Sequence, residues 1–408
     1  MVHMDAKAGM PHFFPALITV GVVAVILFAA RAIAIHVEQR TISATAPEAF
    51  SLKNQGLAFQ RAAAHASDVL PLYGSSELLG QIPERGGNFF RAAPTGFQLS
   101  PVGKAGATSM IMLQKIGALG SDLHGKKLAI SLSPIWFVVP ATSPYWYEGN
   151  FSLLAASKLA FGDVLDFELK RTIAARMVQF PSTLEKDPLL EFALKRLASG
   201  GRLDQIAFCI VWPLGKIQDA VLDLQDHFAA LSYILRETKS VPARRPRMLD
   251  WPRLIAKAGE LGQANKDDNK KDKASRSEGQ MVAGPRDEWF REHVNGAREW
   301  GDLELLLRTL AEVHAQPLLL SMPLDSRYYD EVGVSRLARV VYYEKLRALA
   351  RQYNVTLADF AEHEEDAAFL YHRGPQPEGA PSAHLAAKGW MFYNRALDDF
   401  FHGRIPSN

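Results

Sequence analysis

The chain has 408 residues, 48% of them hydrophobic and 22% charged, with a formal net charge of +2. This composition excludes wholesale disorder and suits one large domain or two ordinary ones. The near-neutral balance argues against a dedicated nucleic-acid binder, which concentrates basic charge on one face, so nucleic acid is not expected as a partner.

Residues 1–12 read as a short N-terminal tail. From Phe13 to Ala30 only Thr19 is polar, and after Arg31 the apolar character resumes as Ala32-Ile33-Ala34-Ile35. A bilayer core about 30 Å thick takes roughly 20 apolar residues at helical rise. Residues 13–35 meet that length with Arg31 snorkelling to the interface. A cleaved signal peptide is the alternative, and Ala32-Ile33-Ala34 offers the small residues it needs. The apolar stretch is longer than a signal core, so an uncleaved anchor is expected. Lys7 on one side and Arg31 and Arg40 on the other leave the positive-inside rule undecided. No second long apolar run follows. The expectation is therefore a single-pass protein of the cell (inner) membrane, in contact with the lipid bilayer through residues 13–35. A juxtamembrane connector over 36–65 would lead to an extracytoplasmic domain over 66–404.

Beyond the anchor, compact apolar runs alternate with helical patterns. The expected strands are Val69–Tyr73, Lys127–Ser133, Ile206–Trp212, Pro317–Met322 and Thr356–Phe360, each bounded by turn-forming residues as a strand buried on both faces should be. The only cysteine, Cys209, falls inside the third run and reads as a small buried hydrophobe. Helical stretches cover Ala105–Leu119, Leu184–Leu197 and Val334–Tyr353. A last helix carries Trp390, Tyr393, Leu397 and Phe400 on one face. Strands alternating with helices imply a doubly wound α/β domain, with a mostly parallel sheet and helices on both faces. Residues 265–280 are almost wholly polar and read as a solvated loop. Tyr371–Pro381, with three prolines and two glycines, reads as an irregular loop.

In open α/β sheets ligands bind beyond the carboxyl ends of the strands. The first strand ends in Gly74-Ser75-Ser76-Glu77-Leu78, which places hydroxyls at a sharp strand-to-helix turn. Helix amides there favour an anion, including the oxyanion of an acyl intermediate; on the tetrapeptide alone, simple capping by serine before glutamate is the favoured reading. Lys127–Ser133 ends in Ser133-Pro134-Ile135-Trp136, and the strand at Pro317 ends in Ser321-Met322-Pro323. Gly103-Lys104-Ala105-Gly106 lacks the spacing of a nucleotide-binding loop, and a glycine amide facing an oxyanion suits Gly106 better. A serine nucleophile needs a base, and histidine is the usual one. Of the twelve histidines, His3, His12 and His36 flank the anchor, and His363 sits in the charged run Glu362–Asp366, expected to be a solvated helix start. His384 follows the Pro/Gly loop and precedes the last helix, from where it can reach the strand ends; a capping or core role is its alternative.

These blocks together resemble the DltD family, the D-alanyl transfer proteins of lipoteichoic acid modification, within the broader SGNH/GDSL group of serine hydrolases and acyltransferases. The blocks run in the family's order: the anchor, Gly74–Leu78, Gly106 with Thr108-Ser109, Leu132–Phe137, Glu299-Trp300-Gly301-Asp302-Leu303, Ser321-Met322-Pro323, Tyr328-Tyr329-Asp330, Ala358-Asp359-Phe360, and His384-Leu385 with Lys388-Gly389-Trp390. The resemblance implies a flavodoxin-like, SGNH-hydrolase-like sheet with Ser76 as nucleophile and His384 as general base. Gly106 and the Ser76 amide would supply the oxyanion hole, with Ser75 and Ser133 lining the site. It also implies a membrane O-acyltransferase partner (MBOAT/DltB-like), an acyl-carrier-dependent donor system and a cell-surface polymer acceptor, with no cofactor and no metal. Two positions depart from the family pattern: Pro381 stands where the family has aspartate three residues before the histidine, and Ile135 replaces the glutamine of Ser-Pro-Gln-Trp-Phe. Glu378 is an alternative orienting acid. A carbohydrate O-deacylase, a thioesterase or a non-catalytic partner of the O-acyltransferase fits the same residues.

Overall fold

The computed structural model describes residues 13–48, 51–80, 82–237, 245–264, 283–371 and 381–405. Its centre is a five-stranded sheet of β1 (Val69–Gly74), β2 (Gln98–Gly103), β3 (Lys127–Leu132), β4 (Gln316–Ser321) and β5 (Thr356–Asp359). The strands lie in the order β2-β1-β3-β4-β5 and every neighbouring pair is parallel. This is the flavodoxin-like doubly wound order, whose switch point falls where the chain turns back between β1 and β3. Side chains alternate across the sheet as its period of two requires. Leu128, Ile130, Leu132 and Leu319 enter one core with Ile111, Ile116, Leu306 and Tyr342. Leu70, Leu72, Ala129, Leu318 and Leu320 enter the opposite one with Trp390, Tyr393 and Leu397. Helices therefore cover both faces, as expected.

Two assignments change. β2 carries Ser100 and Pro101 and lacks the run of branched residues that marks the other strands. Its place at the sheet edge explains why a proline is tolerated there. Conversely Ile206–Trp212, expected as a strand, lies inside one 36-residue helix, Arg202–Glu237. A seven-residue apolar run suits a buried strand or a helix equally. Here Phe208 and Gly215 turn inward while Ile206, Ile210 and Leu214 face outward, at helical steps. Cys209 is accordingly exposed rather than buried. The run Glu362–Asp366 is also less solvated than its charges suggest: Glu364 is buried on Arg339, and the His363 ring packs on Phe369 and Phe392. The polar stretch 265–280 and Glu378 lie outside the described residues.

The N-terminal helix, Phe13–Thr45, is long and apolar enough to cross a membrane. It continues beyond the apolar span into the domain, burying Ala34, Glu38, Ile42 and Thr45 at three- and four-residue steps. Ile42 and Ala46 share a core with Phe59, Ala62, Val69, Ala230 and Ile234. Polar contacts extend the seam. Arg31 Nη2 lies 2.8 Å from Asp223 Oδ2, and His227 Nδ1 lies 2.8 Å from Glu38 Oε1. Asp223 also meets Lys158 at 2.9 Å, Arg61 at 3.4 Å and His227 Nε2 at 3.5 Å. Burial alone would raise the Asp223 carboxyl, but the interaction with His227 and the charges of Arg61 and Lys158 outweigh it and hold it far below the ordinary carboxylate range. Burial alone would lower His227; its two carboxylate partners reverse that and push it up to about 9.

Candidate active site

The carboxyl ends of β1 to β4 and the approach to the last helix (Ala387–Phe401) meet at one rim of the sheet. β1 delivers Gly74 and then Ser75 and Ser76. A side chain at Gly74 would stand 2.5 Å from Glu77 Oε1, so the turn closes only around glycine. Ser76 opens a four-residue 3-10 turn, Ser76–Leu79, rather than an α-helix. The expected helix dipole is therefore missing behind Ser76, and only individual amides remain as donors. Ser76 is half-buried. Its Oγ lies 3.1 Å from Nε2 of the exposed His384, across 308 residues of sequence. This separation is within hydrogen-bond reach. Ser133 immediately follows β3 at the same rim of the sheet and is buried.

Ser75 is buried and knits two strand ends together. Its Oγ accepts from the Gly106 N–H at 3.1 Å and donates to the Lys104 carbonyl at 3.4 Å. Gly106 has φ +84°, and a Cβ there would sit 2.2 Å from Trp146 Cε3. Both facts demand glycine. The loop is clamped by Asn150, whose Nδ2 donates to the Ala105 and Trp146 carbonyls, and by Lys104 Nζ on the Gly149 carbonyl. At the start of the following helix the Ser109 N–H donates to Glu299 Oε1 at 2.6 Å. Burial, then the negative charge of Asp302, pushes the Glu299 carboxyl up to about 8. Trp146, Trp136 and the exposed Tyr145 form an aromatic wall beside Gly106, with ring centroids 5.1 and 6.2 Å apart.

His384 is placed by its backbone. The Tyr371 N–H donates to its carbonyl at 2.8 Å, Leu370 and Leu385 form an antiparallel bridge, and the Ala386 N–H donates to the Phe369 carbonyl at 2.9 Å. Two residues upstream, the Ser382 N–H donates to the buried Asp325 Oδ2 at 2.8 Å. Asp325 follows β4 directly and was not singled out in the sequence; a carboxylate just past a strand end, in the block after Ser321-Met322-Pro323, was the available signal. Pro381 presents no acid three residues before His384.

Glu77 is the second residue that the sequence did not single out. It is buried, and its Oε1 accepts the Ser75 N–H at 2.8 Å. Burial raises its carboxyl above the ordinary range, against the pull of that hydrogen bond. The side chain acts as a shaped acceptor holding the turn. Glu77→Ala should let the turn relax and slow labelling of Ser76 by an activated-serine probe about 100-fold, the scale of an ångström misplacement. Glu77→Gln, which keeps an uncharged carbonyl acceptor, should stay within a few-fold of wild type. Equal rates for all three proteins would remove Glu77 from any positioning role.

Comparisons with known proteins converge on one family. The profile of the DltD protein family matches residues 46–402. The chain is 27% identical over 369 residues to Protein DltD of Bacillus subtilis, covering 87% of this chain and 88% of that one. It is 23% identical over 352 residues to Protein DltD of Staphylococcus aureus, covering 82% and 81% of the two chains. Against Protein DltD of Lacticaseibacillus rhamnosus it is 23% identical over 373 residues, covering 88% and 82%.

Proposed function

The chain belongs to the DltD protein family, and from that premise we propose that it is a membrane-anchored acyltransferase of D-alanyl-lipoteichoic acid biosynthesis, acting through Ser76 on an extracytoplasmic domain. The observation that carries this reading is the 3.1 Å approach of His384 Nε2 to Ser76 Oγ. His384 takes the Ser76 proton as Ser76 Oγ attacks the carbonyl of a D-alanyl thioester or ester. The acyl–serine bond forms, and the leaving group departs with the proton returned by His384. A hydroxyl of the acceptor polymer, deprotonated by the same imidazole, then displaces Ser76. The Ser76 and Gly106 amides are the proposed donors for the oxyanion; the Gly106 N–H, held here by Ser75 Oγ, must leave it to take that role. With Pro381 at the usual aspartate position, the backbone clasp at Tyr371, Leu385 and Asp325 supports the imidazole's position. Glu378, in the same stretch, is the proposed orienting acid. A membrane O-acyltransferase of the DltB-like kind, fed by an acyl-carrier-dependent donor system, would hand over the acyl group beside the anchor.

The test is covalent capture. Full-length protein in lipid nanodiscs, treated with a fluorophosphonate, should gain one adduct on the peptide containing Ser76. Ser76→Ala should gain none there, and His384→Gln should react far more slowly. A wild-type Ser76 that stays unlabelled while the protein remains folded would defeat the nucleophile assignment.

A further inference from the structure

The long helix Arg202–Glu237 exposes a continuous apolar stripe. Leu203, Ile206, Ile210, Leu214, Ile217 and Val221 recur at three- and four-residue steps and are each between 50% and 83% exposed. Exposed Cys209 and Pro213 fill the spaces between them, and from Gln205 to Gly215 the sequence carries no charge. Eighteen helical steps from Leu203 to Val221 make the stripe about 27 Å long. A patch of this size on a globular surface marks an interaction site.

The packing of this helix against the anchor says which medium the stripe faces. Arg31 pairs with Asp223, Glu38 with His227, and Ile42 and Ala46 pack with Ala230 and Ile234. Residue numbers climb together on the two helices, so they run side by side in the same direction. Tracing either one backwards from the Arg31–Asp223 pair leads the same way: the anchor into its apolar span, and the long helix into its stripe. Lys216, within the same helix, is paired with Asp163 at 2.7 Å. Arg202 closes the far end beside a shallow depression formed with Gln205, Ile206, Cys209 and Ile210.

We propose that the outward face of this helix, from Leu203 to Val221, is covered by the lipid of the bilayer that holds the anchor, as a second apolar contact beside it. An uncharged apolar helix face is what such a contact requires. Two contacts on one bilayer fix the tilt and rotation of the domain about its anchor, which a lone helix leaves free. The inference rests on residues 13–35 crossing the membrane and not on the chemistry at Ser76.

The chain's only thiol provides the probe. Full-length protein labelled at Cys209 with an environment-sensitive NBD fluorophore is placed in nanodiscs with and without brominated phosphatidylcholine. The control is Cys209→Ser with Glu288→Cys, at an 81% exposed side chain on another helix. The Cys209 label should emit blue-shifted light, lose most of its intensity to brominated lipid and resist aqueous iodide; the control should do the reverse. A Cys209 label that follows the control overturns the proposal. So does one that becomes shielded only when a membrane O-acyltransferase is co-reconstituted, since the stripe would then face protein. Protein that fails to enter nanodiscs at all would refute the anchor itself and thereby the inference built on it, leaving the Ser76 chemistry untouched.

Discussion

Ser76→Ala is expected to reduce surface D-alanylation by roughly four to six orders of magnitude per molecule, the scale on which single nucleophile deletions act in serine enzymes. Without Oγ the proposed acyl–enzyme bond cannot form, and the neighbouring Ser75 hydroxyl is not set to replace it. Ser75 is buried, and its Oγ is shared between the Gly106 amide and the Lys104 carbonyl. The change should leave stability almost untouched, because Ser76 is half-buried and its Oγ meets the exposed His384. The measurement is base-labile ester-linked alanine on cells of a deletion strain carrying wild-type or Ser76→Ala protein, alongside thermal melts of both. Full ester content with the alanine protein would transfer the chemistry to another molecule and leave this chain an assembly partner.

Asp223→Ala is expected to cause the largest loss of stability, about 3–5 kcal/mol, the cost of leaving buried charge without its partner. One carboxylate, 3% exposed, faces Arg31, Arg61, Lys158 and His227, and its removal leaves those cations crowded together at the base of the anchor. The pH dependence should change as well. With His227 pushed up to about 9 from its ordinary 6.5, its contribution is complete below about pH 6.5 and is lost as pH rises through 9. Wild-type protein should therefore melt at lower temperature as pH climbs across that window, and Asp223→Ala should flatten the decline. Denaturant unfolding of the full chain in detergent at several pH values checks both statements; a variant as stable as wild type would show that the cluster holds nothing together.

Much of the architecture was readable from residues alone, for reasons that also explain the misses. β1, β3 and β4 announce themselves because strands covered on both faces must be apolar throughout, and each ends in serine at the same rim. β2 was hidden because an edge strand is released from that demand and can carry Ser100 and Pro101. Ile206–Trp212 misled because its length gives no period to read; only the pattern continuing to Val221 distinguishes a helix, and that continuation is the exposed stripe. Ser76 and His384 were singled out through block order and strand-end logic, and the fold places their side chains 3.1 Å apart. Glu77 and Asp325 were passed over because a carboxylate that binds backbone amides looks, in sequence, like any surface acid. The span at 13–35 was plain from composition, whereas its fusion to the domain through Glu38, Arg31 and Asp223 depends on partners about 190 residues away.

The bridge between Leu370 and Leu385, closed by the Tyr371 amide on the His384 carbonyl, works as a staple across the neck of an excursion in the chain. Because the staple grips the main chain on either side of His384, the backbone that carries the imidazole keeps its course independently of which side chains stand at its neighbours. Natural drift at position 381 thus leaves the backbone beside the imidazole pinned at both Leu385 and Tyr371.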